Sequence, residues 1–420
     1  MDAGLRFSFS KLKIGECVMK DVRIGKFTLS RDFLLFLIAN ALLGITIAVE
    51  SSFFANRLAE DLEFTIRQRG LLEFPRELPG LLVVFIAGAL SFLGDIRTAA
   101  VANIFGGLGL LAFGLVSAGF WPVVVTMIIF STGQHIYLPL QGALSMTFAN
   151  KGNFGRRLGE IQSVGTLAMI LTLFILPMLL RNFGISLAVT FTIGAIAMVL
   201  AGIVFLFMTP SPPRPKKQRI VYNKKFMLFY VMSMVFGARR QVTFTFATWL
   251  LVTVYYQPAY NIGTLFMIMS IISVPFRPFM GVLIDKMGER FALMFESAIL
   301  VISALGFAFA RTLFSPAAAL IIVSVCLIVD NLFNIGAGMA RTTYVKRISA
   351  NQHEASGTLT FSISLDHIVT MSMPFLLALI WERNIDGYRF VFLGAAVFSI
   401  AGIFLANKIR IPKESEVESA

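Results

Sequence analysis

The chain is a succession of long apolar runs broken by short polar stretches. Twelve runs stand out, at approximately 33–57, 72–94, 98–118, 121–146, 156–180, 184–208, 226–254, 261–284, 290–310, 315–340, 356–381 and 387–407. Each is near the ~20 residues that a helix needs to cross a hydrocarbon core about 30 Å thick. Backbone polar groups in lipid must be satisfied within their own segment, so the runs are predicted to be helices. One connection differs from the rest. Thr209 to Lys225 reads TPSPPRPKKQRIVYNKK, which is proline-rich, basic and too polar to cross. It leaves six runs on either side, in stretches of nearly equal length, which indicates a duplicated six-helix unit.

Composition fits a polytopic membrane protein: 57% of the 420 residues are hydrophobic, 14% are charged and 42 are Phe. Mean hydropathy is +0.81. A soluble domain is not built this way. The formal charge of +13 would suit nucleic acid, but its distribution excludes that partner. With the N-terminus inside, 24 of the 36 Lys and Arg fall in inner regions and eight in outer loops. Both termini are therefore predicted to be cytoplasmic, in a multi-pass protein of the plasma (inner) membrane. The basic face is expected to meet anionic inner-leaflet lipids. The predicted organisation is a basic N-terminal segment (1–31), a six-helix bundle (32–209), a cytoplasmic linker (210–225), a second bundle (226–408) and a tail (409–420). No signal-peptide pattern precedes the first run. Met19 flanks that run as well as Met1 does as a start. Cys17 and Cys326 form neither a disulfide framework nor a CxxC metal motif.

Two loops carry patterned chemistry. Where the outer loop after the first run leads into the second, Glu73, Pro75, Arg76, Glu77 and Pro79 punctuate the start of a helix. Glu73 with Arg76, or Arg76 with Glu77, is expected to pair at the outer rim. Between the eighth and ninth runs stands GVLIDKMGER, Gly281 to Arg290. It resembles the G-x-x-x-D-[RK]-x-G-[RK]-[RK] signature of the major facilitator superfamily. Gly281, Asp285, Lys286, Gly288 and Arg290 match, while Glu289 replaces a basic residue. The glycines would allow a tight turn and close helix approach, and Asp285 would bond a neighbouring helix end. The equivalent loop in the first half, SFLGDIRTAA, keeps Asp95 with Arg97 nearby but lacks both glycine positions (Ser91 and Thr98). The resemblance implies an all-α protein of twelve transmembrane helices in two pseudo-symmetric six-helix bundles. A central cavity would open alternately to each side.

Strongly polar residues deep in apolar runs are expensive, at about 3 to more than 10 kcal/mol for a cation at mid-membrane. They are Asn40 and Glu50 in run 1, Gln134, His135 and Gln141 in run 4, and Arg239, Arg240 and Gln241 in run 7. Run 10 adds Asp330, Asn331 and Asn334, and run 11 adds Asp366 and His367. In the family that the motif resembles, runs 1, 4, 7 and 10 line the cavity. The residues expected to bind substrate are thus Arg239, Arg240, Gln241, Gln134, His135, Gln141, Asn331, Asn334 and Asn40. Glu50, Asp330, Asp366 and His367 are candidates for proton coupling or ion pairing, with Asp330 the first expected partner of Arg240. Glu296 is expected only to pack near the inner end of run 9.

The favoured reading is a secondary active transporter, working as a monomer on a small polar, anionic solute coupled to protons. Arg239 or Arg240 would hold the anionic group through its planar fork. A carboxylate tied to Arg carries protons poorly, so an Asp330 pair would leave Glu50 or Asp366 as carrier. The alternatives are a divalent-metal transporter using Glu50, His135, Asp330, Asp366 and His367, and a non-transporting receptor or scaffold. Nucleophile-elbow, HExxH and Walker patterns are absent, which argues against an enzyme. No cofactor and no structural metal centre are expected.

Overall fold

The computed structural model describes residues 21–24, 27–148, 154–213 and 222–410. Much of the predicted N-terminal segment, linker and tail, both candidate start residues and Lys151 lie outside them. A short antiparallel hairpin, β1 (Asp21–Ile24) with β2 (Phe27–Ser30), precedes the first helix.

Twelve long helices follow. They are α1 (Arg31–Asn56), α2 (Ile66–Ala89), α3 (Gly94–Leu115), α4 (Phe120–Thr147), α5 (Phe154–Phe183) and α6 (Leu187–Leu206). After the linker come α7 (Met227–Thr253) and a continuous run from Ala259 to Leu313. Gly288, at φ 80° and ψ 163°, breaks that run into α8 (259–287) and α9 (289–313). Only glycine adopts that backbone cheaply. The set ends with α10 (Pro316–Ile348), α11 (Gln352–Glu382) and α12 (Tyr388–Asn407).

The duplication is visible in the packing. Helix α1 packs on α5 and α6, and its counterpart α7 packs on α11 and α12. Close approach depends on small residues, as expected where lipid offers no hydrophobic drive. A Cβ on Gly133 of α4 would sit 2.6 Å from the Cα of Gly106 on α3.

The halves meet along α2–α11 and along α5 with α8. The buried contacts between the halves lie toward the end away from the linker. Asn56 bonds the Gln257 carbonyl there at 3.1 Å, and Gly70 lies against Pro374 and Ala378. On the linker side Arg277 of α8 donates to Gln162 of α5 at 3.0 Å in an exposed bond. Toward the linker end the helices part: from residue 81 to residue 89, α2 has no buried side chain among those described. The molecule is thus closed at the far end and open at the linker end.

Helix α2 begins six residues before the predicted start. Thr65 accepts from the Gln68 backbone and the Gln68 side chain accepts from Thr65 N, a capping box that nucleates the helix in what reads as loop. The charged stretch 69–77 therefore lies inside a helix.

Candidate functional site

The ion pairs that hold the centre form three groups. The first joins α7 to α10. Arg239 is 2% exposed and Asp330 1%. Arg239 Nη1 donates to Asp330 Oδ2 at 2.7 Å, and its Nη2 donates to Asn334. Thr243 and Asn334 also donate to the Asp330 carboxylate, at 3.3 and 2.8 Å. Desolvation of both ions is thus offset by a nearly complete set of bonds.

The second group starts at the next residue of α7 and is far less buried. Arg240 Nη2 donates to Asp366 Oδ2 on α11 at 2.6 Å, yet the Arg240 side chain is 45% exposed and the Asp366 side chain 20%. Arg240 therefore pairs with Asp366, and the expected Arg240–Asp330 pair does not form. Successive residues on a helix point roughly 100° apart. Arg239 accordingly faces α10 and Arg240 faces the opening. A guanidinium midway along a membrane helix is not left in lipid, so its exposure marks a water-filled space.

The third group makes both pairs expected of it, Glu73 with Arg76 and Arg76 with Glu77, but buried within α2 and not at an exposed rim. Arg69, Glu73, Arg76 and Glu77, assigned in part to the outer rim, are all buried, and Glu73 is 0% exposed. Spacings of four, three and four put Arg69, Glu73, Arg76 and Gly80 on one face of α2. Glu73 accepts from Arg69, from Arg76 Nε at 2.8 Å and from Gln241 Nε2 on α7 at 3.2 Å. Arg76 reaches Glu50 of α1 at 3.1 Å and Glu77 at 3.3 Å. It also lies over the Phe244 ring, 5.2 Å from its centroid. Glu50 thus pairs with Arg76, not with either central arginine of α7. The signal that could have found this group is the T-x-x-Q capping box at Thr65, which fixes the helix start and hence the stripe.

Two of the chain's three histidines converge beside it. Glu77 Oε2 is 3.1 Å from His367 Nδ1 on α11 and 3.9 Å from His135 Nε2 on α4. The two rings are edge-on, with centroids 5.1 Å apart. Gly80 makes room for them: a Cβ there would meet His135 Cδ2 and His367 Nε2, each at 2.6 Å. Glu77, His135 and His367 offer ligand atoms within 4.8 Å of one another and so have the composition of a metal site.

The remaining candidates scatter. Gln141 donates to Asn40 at 2.7 Å, a bond between α4 and α1. Gln134 lines a small cavity of about 50 Å³ with Glu50 and Gln141. Asn331 lines a larger one of about 170 Å³ between the halves, with Glu50, Arg69, Thr243, Thr245 and Thr248. Phe244 also lines it, and Arg240 lies one turn nearer the linker on the same stripe. Glu50 is the carboxylate common to both cavities.

In the motif 281–290, Asp285 is exposed and has no bonded partner among the described residues. The buried acid is the departing one, Glu289, which takes Arg347 of α10 at 2.9 Å. Arg290 donates to Asn407, and Lys286 is exposed. Gly288 makes the turn, but Gly281 is not needed for close approach, since an added Cβ would find only Met339 at 3.9 Å. In the other loop Arg97 is exposed, Asp95 sits in the first turn of α3, and Ile96 N bonds Ser211 at 3.1 Å.

Comparison with solved structures gives the same architecture throughout. A nucleoside transporter, NupG, superposes with a TM-score of 0.73 at 16% identity, covering 90% of this chain and 100% of that one. A bacterial homologue of the human lysosomal transporter Spinster, inward-facing and occupied, gives 0.68 at 13%, covering 89% and 95%. A D-xylose–proton symporter gives 0.67 at 14%, covering 92% and 98%. Comparison of the sequence with curated proteins finds no match. The sequence pattern that defines the Major Facilitator Superfamily matches residues 34–365, and the chain belongs to that family.

Proposed function

We propose that the protein is a secondary active transporter of a small anionic solute, coupled to protons, with its linker face in the cytoplasm. The observation that carries this reading is the half-exposed guanidinium of Arg240 midway along α7. Its fork has donors to spare beyond Asp366, and it stands at the mouth of the opening where a carboxylate or phosphate would arrive. Arg239, by contrast, is consumed by Asp330 and Asn334 and acts as a brace.

The solute moves past Arg240 into the cavity of about 170 Å³, where Thr243, Thr245, Thr248 and Asn331 offer hydrogen bonds. Charge bookkeeping selects the proton carrier. Glu50, Glu73 and Glu77 face Arg69 and Arg76, one carboxylate in excess of the cations. Glu73 is locked by three donors. Glu50 has one charged partner and lines both cavities, so it takes the proton. The fold neighbours carry nucleosides and a sugar, so the fold does not select the cargo and these side chains must.

The test is ligand-dependent thermal stabilisation of the purified protein against organic anions, amino acids, sugars and divalent metals. Stabilisation by an anionic class, lost in Arg240→Ala, is expected. Stabilisation by neutral sugars alone, or an anion response unchanged in Arg240→Ala, would overturn the reading.

A further inference from the structure

We propose that Glu77, His135 and His367 form a binding site for a divalent transition-metal ion of the Zn²⁺ class, and that the bound ion clamps the halves together at the far end. Glu77 and His135 come from the first half, on α2 and α4, and His367 from the second, on α11. No other feature of the centre brings two imidazoles from opposite halves onto one carboxylate oxygen among the described residues.

The tautomers carry the argument. His135 Nδ1 is 2.9 Å from both the carbonyl and the hydroxyl of Ser131. The hydroxyl gives its own hydrogen to the Arg76 carbonyl, so both Ser131 oxygens accept and Nδ1 carries the hydrogen. The Nε2 lone pair of the neutral ring is then aimed at Glu77 Oε2, 3.9 Å away. Two acceptors facing one another call for a cation between them. An imidazole that donates one N–H to a backbone carbonyl and presents the other nitrogen is also the arrangement that orients metal-binding histidines.

Distances allow an ion. A tetrahedral ion with bonds of ~2.1 Å separates its ligands by ~3.4 Å. The Glu77–His367 contact, a hydrogen bond whose proton the ion would replace, is 3.1 Å, and the whole trio lies within 4.8 Å. Bringing a 4.8 Å spacing to ~3.4 Å takes about 1.4 Å of movement. Both rings rest on Gly80, where an added Cβ would lie 2.6 Å from His135 Cδ2 and from His367 Nε2, so no side chain at that position holds them apart. Two nitrogens and one carboxylate oxygen suit Zn²⁺, Mn²⁺, Fe²⁺ or Co²⁺, and disfavour Mg²⁺ and Ca²⁺.

Charge permits it as well. The neighbouring Arg76 is 3.3 Å from the other oxygen of Glu77, but Glu50 and Glu73 also draw on that guanidinium. While Glu50 is unprotonated, the cluster of three acids and two arginines has one negative charge left for a cation. Because the ligands come from both halves, the ion binds the state closed at the far end and is released as α11 leaves α2. A ligand with that preference shifts the population toward the closed-far-end state by its differential affinity. The site is independent of which solute is carried.

The experiment titrates the purified full chain with ZnCl₂ and, as control, MgCl₂, following thermal stability and bound metal by elemental analysis. One Zn²⁺ per chain and a saturable stabilisation are expected, with no response to Mg²⁺. His135→Gln, His367→Gln and Glu77→Gln should each remove the saturable shift, and His353→Ala should retain it. A variant that does not fold is replaced by its Asn counterpart, and each is accepted only if its metal-free melting matches the parent. Zn²⁺ should also slow labelling of a cysteine placed at Asn56, at the closed end. Absence of stoichiometric Zn²⁺, binding retained in the double histidine variant, or labelling indifferent to Zn²⁺ would overturn the proposal.

Discussion

Replacing Asp330 by alanine isolates the brace between α7 and α10. Both ions are nearly inaccessible, at 2% and 1% exposure, and the contact is 2.7 Å. The substitution leaves the Arg239 guanidinium buried with one neutral partner, Asn334. Breaking a buried pair in this way costs about 3–5 kcal/mol, or roughly 150- to 5,000-fold in the folding equilibrium. Removing both charges, as in Arg239→Met with Asp330→Leu, leaves no stranded ion and should cost little or be stabilising by about 1–4 kcal/mol. A double-mutant cycle with Arg239→Met and Asp330→Leu as its single variants, in reversible detergent unfolding, should give an interaction of about 3 kcal/mol or more. The exposed Arg156–Glu160 pair, 71% and 32% exposed, serves as a reference worth about 0–1 kcal/mol. Glu296 of α9 is buried at 1%, and neither carboxylate oxygen has a hydrogen-bond partner among the described residues. It is the group able to rescue a freed Arg239, so the cycle is repeated in Glu296→Gln. An Asp330→Ala protein within 1 kcal/mol of the parent in that background, or a double variant no better than the single, would refute the reasoning.

Other consequences follow from the same contacts. Glu73→Ala strands Arg69 and Arg76 and should destabilise by about 3–5 kcal/mol, whereas unchanged unfolding would mean the arginines find other partners. Gly80→Ala drives a methyl group against His135 and His367 and should part the halves at that level. Faster maleimide labelling of a cysteine at Asn56, which is 0% exposed, would report it, and an unchanged rate would count against it. Thr65→Ala removes the cap of α2 and should cost about 0.5–2 kcal/mol in the same unfolding assay.

The twelve helices and the break at the linker are legible because apolar runs of bilayer length have few other uses. The central helices are harder to read. Among the described residues, nine stretches are long and apolar enough to count as spans, and one of these is the double run Ala259–Leu313. Helices α2 and α7 fall short of that measure. They are the two that carry clustered charge, and they meet through Gln241 with Glu73 and Arg76 over Phe244. Their charge lowers the hydropathy by which a span is recognised, although both still stand out as runs 72–94 and 226–254. Arg239, Arg240, Asp330 and Asp366 stand out by cost alone, but which arginine takes which acid depends on helix rotation. That rotation is set by packing, with Gly237 leaving room for Asp366 beside α7. Glu73 and Glu77 read as rim residues because Pro75 and Pro79 read as a helix start, although neighbouring helices can satisfy a proline-interrupted backbone in a membrane.

Flux across proteoliposomes containing the parent, Glu50→Gln and Arg240→Ala tests the coupling most directly. The parent should accumulate the stabilising anion only when a pH gradient is imposed. Glu50→Gln should lose that accumulation while still exchanging the anion down its own gradient, and Arg240→Ala should lose both. Gradient-driven accumulation that survives in Glu50→Gln would contradict a proton carried at Glu50.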